Sequence, residues 1–150
     1  MTALNFSDLS KEIEEKLNKE ESIVLATSAN DETTARLMAH INYGPNVLFS
    51  TSRNSKKVKQ IELNSRIALA INNIKIEAKA ELFGHPSEHP TFLKDYAAKF
   101  PFYAKLYQSN PEDILIIAEP IRISLYKYAG KPCEDVLLPQ EEKAYRMELN

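Results

Sequence analysis

Residues 49–57, Phe49-Ser50-Thr51-Ser52-Arg53-Asn54-Ser55-Lys56-Lys57, gather hydroxyls and three cations where a strand-like run gives way to a helix-like one. A helix N-terminus presents free backbone N–H groups and the positive end of the helix dipole. Ser55, Lys56 and Lys57 at such a point make a phosphate cradle, with Thr51 at the end of the strand before it. Arg36 alternates with apolar residues on a neighbouring strand-like segment and can add a bidentate contact to the same phosphate. On residue types alone, a solvated lysine-rich helix face is the simpler reading.

Other reactive residue types give weaker signals. His85-Pro86-Ser87-Glu88-His89 fits the H-x-x-E-H zinc peptidase pattern. Pro86 and Pro90 argue against the regular helix that pattern needs, so the histidines read as surface groups on a loop and no metal is assigned. Cys133 is the one cysteine, which excludes an intramolecular disulfide or a multi-cysteine zinc site, and Glu134 and Asp135 beside it disfavour the thiolate. It reads as a spectator. Phe92, Tyr96, Phe100, Phe102, Tyr103 and Tyr107 recur at helical spacing, which favours core packing over a substrate pocket.

The elements that must position the cradle follow from periodicity. Leu9, Ile13 and Leu17 lie four apart and predict an amphipathic helix over 7–19, capped by Ser7 or Asp8, within an N-terminal helical segment 1–20. Residues 22–28 and 33–42 read as strands joined by Asn30-Asp31, and 47–51 as a third strand closing a meander. A helix starts at Ser55, and strands follow at 66–72 and 74–83, the second alternating cleanly between apolar and charged residues. Residues 91–108 read as helix broken or kinked at Pro101, then two strands, 114–119 and 121–128, flank Pro120. The tail, 129–150, is polar with little period. Short turns between about seven strands argue for a mainly β, α+β fold: an antiparallel split β-barrel with peripheral helices, not a doubly wound parallel sheet.

At 150 residues and 43% hydrophobic, one domain spanning 1–150 can bury a core of its own. With 19 basic against 21 acidic residues there is no excess positive charge. Arg53, Lys59 and Arg66 could extend the basic patch, but the acidic segment at 12–20 argues against a nucleic-acid partner. No apolar run reaches the roughly 18 residues of a spanning helix, and no signal-peptide core is present, which reads as a cytoplasmic protein with no membrane partner.

Residues 23–83 resemble the flavin-binding split barrels related to pyridoxamine 5′-phosphate oxidase, including the small general-stress-type members. The likeness rests on Ile23-Val24-Leu25-Ala26-Thr27-Ser28, on the arginine-bearing Ala35-Arg36-Leu37-Met38-Ala39-His40, on residues 48–61 and on 64–70. Residues 107–128 are similar to the family's closing strands, so the resemblance spans roughly 10–130. Its most specific part is Thr51-x-x-x-Ser55-Lys56-Lys57.

The resemblance implies flavin mononucleotide (FMN) as cofactor, its phosphate held by Thr51, Ser55, Lys56, Lys57 and Arg36. It implies that the backbone of Met38, Ala39, His40 and Ile41 runs beside the flavin ring, with Phe49 and Ser50 near the ring or the ribityl chain. It implies a homodimer with the cofactor at the subunit interface. It also implies hydride or electron transfer to or from a small-molecule substrate, with a nicotinamide or deazaflavin as electron partner and no catalytic side chain assigned. Ile41 stands where the oxidase itself has lysine, residues 130–137 lack its substrate-holding arginine and histidine, and its tryptophan falls near Tyr126, so pyridoxamine oxidation is not expected. A non-catalytic flavin- or haem-binding carrier or stress protein of the same fold is the alternative, with His40, His85 and His89 as its histidines.

Overall fold

The computed structural model describes residues 1–102 and 110–150. Its elements run β1 (Thr2–Ala3), α1 (Phe6–Lys19), β2 (Ser22–Ala29), β3 (Glu32–Ala39), β4 (Ile41–Tyr43), β5 (Asn46–Ser52), α2 (Lys56–Leu63), β6 (Arg66–Ile71) and β7 (Ile74–Leu82). They continue with α3 (Pro90–Lys99), β8 (Asp113–Tyr128), β9 (Pro132–Leu138) and β10 (Lys143–Glu148). The architecture is a mainly antiparallel, β-rich α+β fold, as the strand and turn pattern predicts.

Among the described residues the strands number ten rather than about seven, and the path β1-β10-β9-β8-β7-β6-β2-β3 is open, since β3 pairs with β2 and not with β1. The expected pair of strands around Pro120 is one 16-residue strand. Pro120 is accommodated beside a bulge: it pairs with Ala78 while Glu77 pairs with Arg122, so Ile121 is the extra residue of β8, and such irregularities are where a strand tolerates proline. The polar tail forms β9 and β10. The expected strand over 33–42 breaks at His40 into β3 and β4, and β5 pairs with β4 and β8.

Strand β8 forks the sheet. Its first part, Asp113–Ala118, pairs with β5, its last part with β9, and its other edge carries β7 throughout Ile116–Leu125. This fork brings β5, which carries half of the cradle, into register with the start of β8: Thr51 faces Ile114 and Ser52 faces Asp113.

The helices form where the periodicity predicts, with corrected ends. In α1, Leu9, Ile13 and Leu17 are buried, but the cap is Asn5, whose side chain accepts from Asp8 N at 2.9 Å, in place of Ser7 or Asp8. α3 ends at Lys99, before Pro101, because a residue preceding proline is pushed out of the helical region. The second half of the expected 91–108 helix, with Tyr103 and Tyr107, lies outside the described residues. Phe92, Tyr96 and Phe100 pack with Ile41, Leu48 and Leu115 into a small cluster, as core packing requires, whereas Phe102 is exposed. The main core joins α1, α2 and the inner face of the sheet. Cys133 is buried on β9, because the tail is a strand and not a polar loop.

Candidate functional site

The cradle is set by a clamp between α2 and the β2–β3 hairpin. Asn30 and Asp31 both take positive φ, the backbone of a tight two-residue hairpin turn, which fixes the register of Thr27 against Thr34. Buried Gln60 of α2 accepts from Thr27 Oγ1 at 2.5 Å and from Thr34 Oγ1 at 2.7 Å, and donates to Glu32 O at 3.1 Å. Arg36 completes the network, donating to Thr27 Oγ1 at 2.8 Å, to Leu25 O at 3.2 Å and to Thr34 Oγ1. Sequence reading missed Gln60, because a polar residue on an exposed-looking helix gives no sign of pointing inward.

At the N-terminus of α2, Ser55 occupies the cap position but makes no side-chain capping bond. The amides of the first helical turn therefore lack a side-chain partner, and the buried Ser55 Oγ has no partner either. Lys57 Nζ donates to Thr51 Oγ1 at 2.9 Å. Burial first, and the charge of Arg36 second, push the Lys57 ammonium below its ordinary pKa; burial does the same to Arg36. Two cations thus face one another, and among the described residues neither has a carboxylate within ion-pairing distance. Glu32, at the start of β3, is instead ion-paired with Lys56 at the surface. Uncapped amides, an orphaned hydroxyl and two unpaired cations together fit an anion.

Beside them opens a cavity of about 440 Å³, lined by Leu37, Met38, Ala39, Ser50, Thr51, Ser52, Lys57, Asn110 and Asp113. That volume lies in the usual range of small-molecule sites. Of the expected site residues, the structure brings Met38, Ala39, Ser50, Thr51 and Lys57 to this cavity, with Arg36 behind Lys57. Phe49 faces the main core, Ile41 the small aromatic cluster, and His40 is fully buried. Leu37, Ser52, Asn110 and Asp113 also line the cavity and were not legible as site residues from residue type and spacing. The acidic residue opening the apolar run at 113–117 was the one available sign, and its meaning depends on a cross-strand pairing far along the chain.

The remaining histidines are committed elsewhere. A short 3-10 turn, Pro86–Glu88, separates His85 from His89, so they do not share a helical face. The His85 Nε2 lies 2.8 Å from Asn110 O and the His89 Nε2 2.6 Å from Phe83 O. No helix among the described residues is long and apolar enough to cross a membrane.

No protein-family model matches the sequence, and no curated protein does. Solved structures do match. A pyridoxamine 5′-phosphate oxidase-related, FMN-binding protein of Nostoc punctiforme superposes with a TM-score of 0.64 at 13% identity, over 96% of this chain and 94% of that one. The chain shares that fold. General stress protein 26 of Bacillus anthracis gives 0.61 at 20% identity over 77% of this chain and 91% of its own. The haem storage protein HutZ of Vibrio cholerae gives 0.61 at 13% identity, over 78% and 91%. The first two neighbours are of the group of proteins that the residues at 23–83 resemble.

Proposed function

We propose that the chain is a flavin-binding split barrel related to pyridoxamine 5′-phosphate oxidase, holding FMN in the 440 Å³ cavity and exchanging hydride or electrons with a small molecule. The observation that carries this reading is the uncapped start of α2, with Ser55 Oγ orphaned and Lys57 and Arg36 lacking carboxylates. Lys57, Arg36, Thr51 and the α2 amides hold the phosphate; Lys56, paired with Glu32, contributes its amide rather than its ammonium. Met38 and Ala39 flank the ring, and Ser50 faces the ribityl chain. Bound FMN would supply the redox chemistry, and the protein position and electrostatics. The likeness to a haem storage protein raises haem as an alternative cofactor. FMN is favoured because His40 is buried, the Nε2 atoms of His85 and His89 face backbone carbonyls, and His85 Nδ1 is bonded to Ser87.

The test is the visible spectrum of the purified protein, with and without added FMN, followed by titration of variants. Lys57→Ala is expected to weaken FMN binding about 10- to 100-fold, the worth of a charge-assisted hydrogen bond. Lys56→Ala is expected to change it only a few-fold. A colourless protein with no affinity for FMN removes the reading, and Soret absorbance on adding haem replaces it with the other. Anaerobic mixing with reduced nicotinamide separates enzyme from carrier: a bound flavin that no common donor bleaches belongs to a carrier.

The reading includes a homodimer. Val24 and Ala26 of β2 lie between Leu37 and Ala35 of β3 on one side and Ala70 and Ala68 of β6 on the other, a ribbon of small apolar side chains on the outer face of the sheet. Leu37, 65% exposed, belongs to both this ribbon and the cavity, so a second copy seated on the face would also wall the cofactor. Leu37→Asp is expected to raise the dimer dissociation constant about 30-fold or more by sedimentation, and to weaken FMN binding with it. An unchanged oligomeric state would place the interface elsewhere.

A further inference from the structure

We propose that Asp113 reads the hydroxylated part of the cavity's ligand, accepting hydrogen bonds from a polyol chain next to the phosphate; this rests on the FMN reading. Asp113 is 5% exposed and lines the cavity, yet its carboxylate makes no hydrogen bond or ion pair among the described residues. Burial pushes its pKa up, with His85 the nearby charge acting in the opposite direction. A largely buried carboxylate without a donor is costly, and none of the described residues supplies one. The second observation is independent: Ser50 Oγ, on a residue 6% exposed that lines the same cavity, is also without a partner.

The register explains why these two groups act together. Asp113 pairs across the ladder with Ser52, and Ser50 is two residues further along the same strand, so the three side chains share a sheet face. Asp113 accepts only, Ser50 can donate or accept, and between them they match a row of hydroxyls. They do not match a bare phosphate, which the carboxylate repels. The cavity thus combines an anion cradle at Lys57 with an acceptor that disfavours an anion lacking hydroxyl donors, which is selection by repulsion as well as by attraction.

The experiment measures FMN affinity by quenching of flavin fluorescence, and inorganic phosphate affinity by its competition with FMN. In Asp113→Ala, FMN affinity is expected to fall about tenfold while phosphate competes as well as, or better than, in the unmodified protein. Asp113→Asn keeps the shape and one acceptor oxygen, guards against a folding defect, and is expected to lose less. A merely structural role would weaken both ligands together and overturn the proposal. So would an Asp113→Ala variant that binds FMN undiminished while the unmodified protein binds it well, an outcome that leaves the FMN reading standing. Failure of the unmodified protein to bind FMN overturns both.

Discussion

Replacing Asp135 by alanine is expected to lower unfolding free energy by about 1–3 kcal/mol, because it removes the buried carboxylate that Arg146 and Lys127 share, leaving Arg146 without its bidentate partner and Lys127 with Glu12 alone. Asp135 is 2% exposed, on β9. It accepts from Arg146 Nε at 2.6 Å and Nη2 at 2.9 Å, and Lys127 Nζ stands 2.8 Å away on β8. Lys127 also reaches Glu12 of α1 at 2.8 Å. The cluster therefore ties β10 and β9 to α1 through Lys127, which bridges Asp135 and Glu12. Urea unfolding of Asp135→Ala measures the cost; a change under 1 kcal/mol would show that the cluster is screened. The Arg146 bond first, and then Lys127, hold Asp135 below the ordinary carboxylate range against the opposing effect of burial. A depressed carboxylate contributes stability above its unfolded pKa of 3.8 and loses it as pH falls through the folded value. The difference between the two proteins should therefore persist at pH 5 and shrink well below pH 4.

A second loss of stability is expected at milder acidity, from His40. Its ring is fully buried and neither nitrogen makes a hydrogen bond of full geometry, although Asn42 and the backbone of Ile41 and Glu20 lie close. Burial first, and the Lys99 ammonium second, push it from 6.5 down to about 4, with those neighbours pulling less strongly upward. Lys99 is held there by the carbonyls of Glu20 and His40, with the carboxylates of Glu20 and Glu21 also acting on it. Because the unfolded chain binds a proton that the folded one refuses, stability is full above pH 6.5 and falls as pH drops toward 4, by up to about 3 kcal/mol. Urea midpoints between pH 7 and 4.5 should slope in the unmodified protein and flatten in His40→Phe, which fills the space without orphaned nitrogens. An equal slope in both would assign the acid sensitivity to another group. The His40 window lies mainly above that of Asp135, and the His40→Phe and Asp135→Ala variants separate the two contributions.

What the chain announces in sequence is what depends on local period. The Leu9, Ile13, Leu17 stripe, the Asn30-Asp31 turn, the alternation of β7 and the cap position of Ser55 are each legible within a dozen residues, and each is found. The tail was illegible because β9 turns Asp135 inward beside Val136 and Leu137, which erases the alternation that marks a strand. Pro120 reads as a strand break because the bulge that admits it is formed with β7, a distant partner. The site divides the same way. Thr51, Ser55 and Lys57 are neighbours in sequence, whereas Asp113 and Gln60 acquire meaning only through contacts with β5 and with the β2–β3 hairpin.

The forked strand β8 also bears on how the chain is made. During synthesis from the N-terminus, the β2–β3 and β6–β7 hairpins can close as soon as they emerge, since each pairs adjacent segments. β5 cannot: apart from short β4, its ladder partner is the first third of β8. Until that segment leaves the ribosome, the strand carrying Ser50 and Thr51 has an unpaired edge flanked by Val47, Leu48 and Phe49, a sticky surface on an unfinished chain. The candidate site beside β5 is among the last parts of the molecule to be completed, and a nascent chain stalled before residue 113 would expose that strand edge as a client for chaperones.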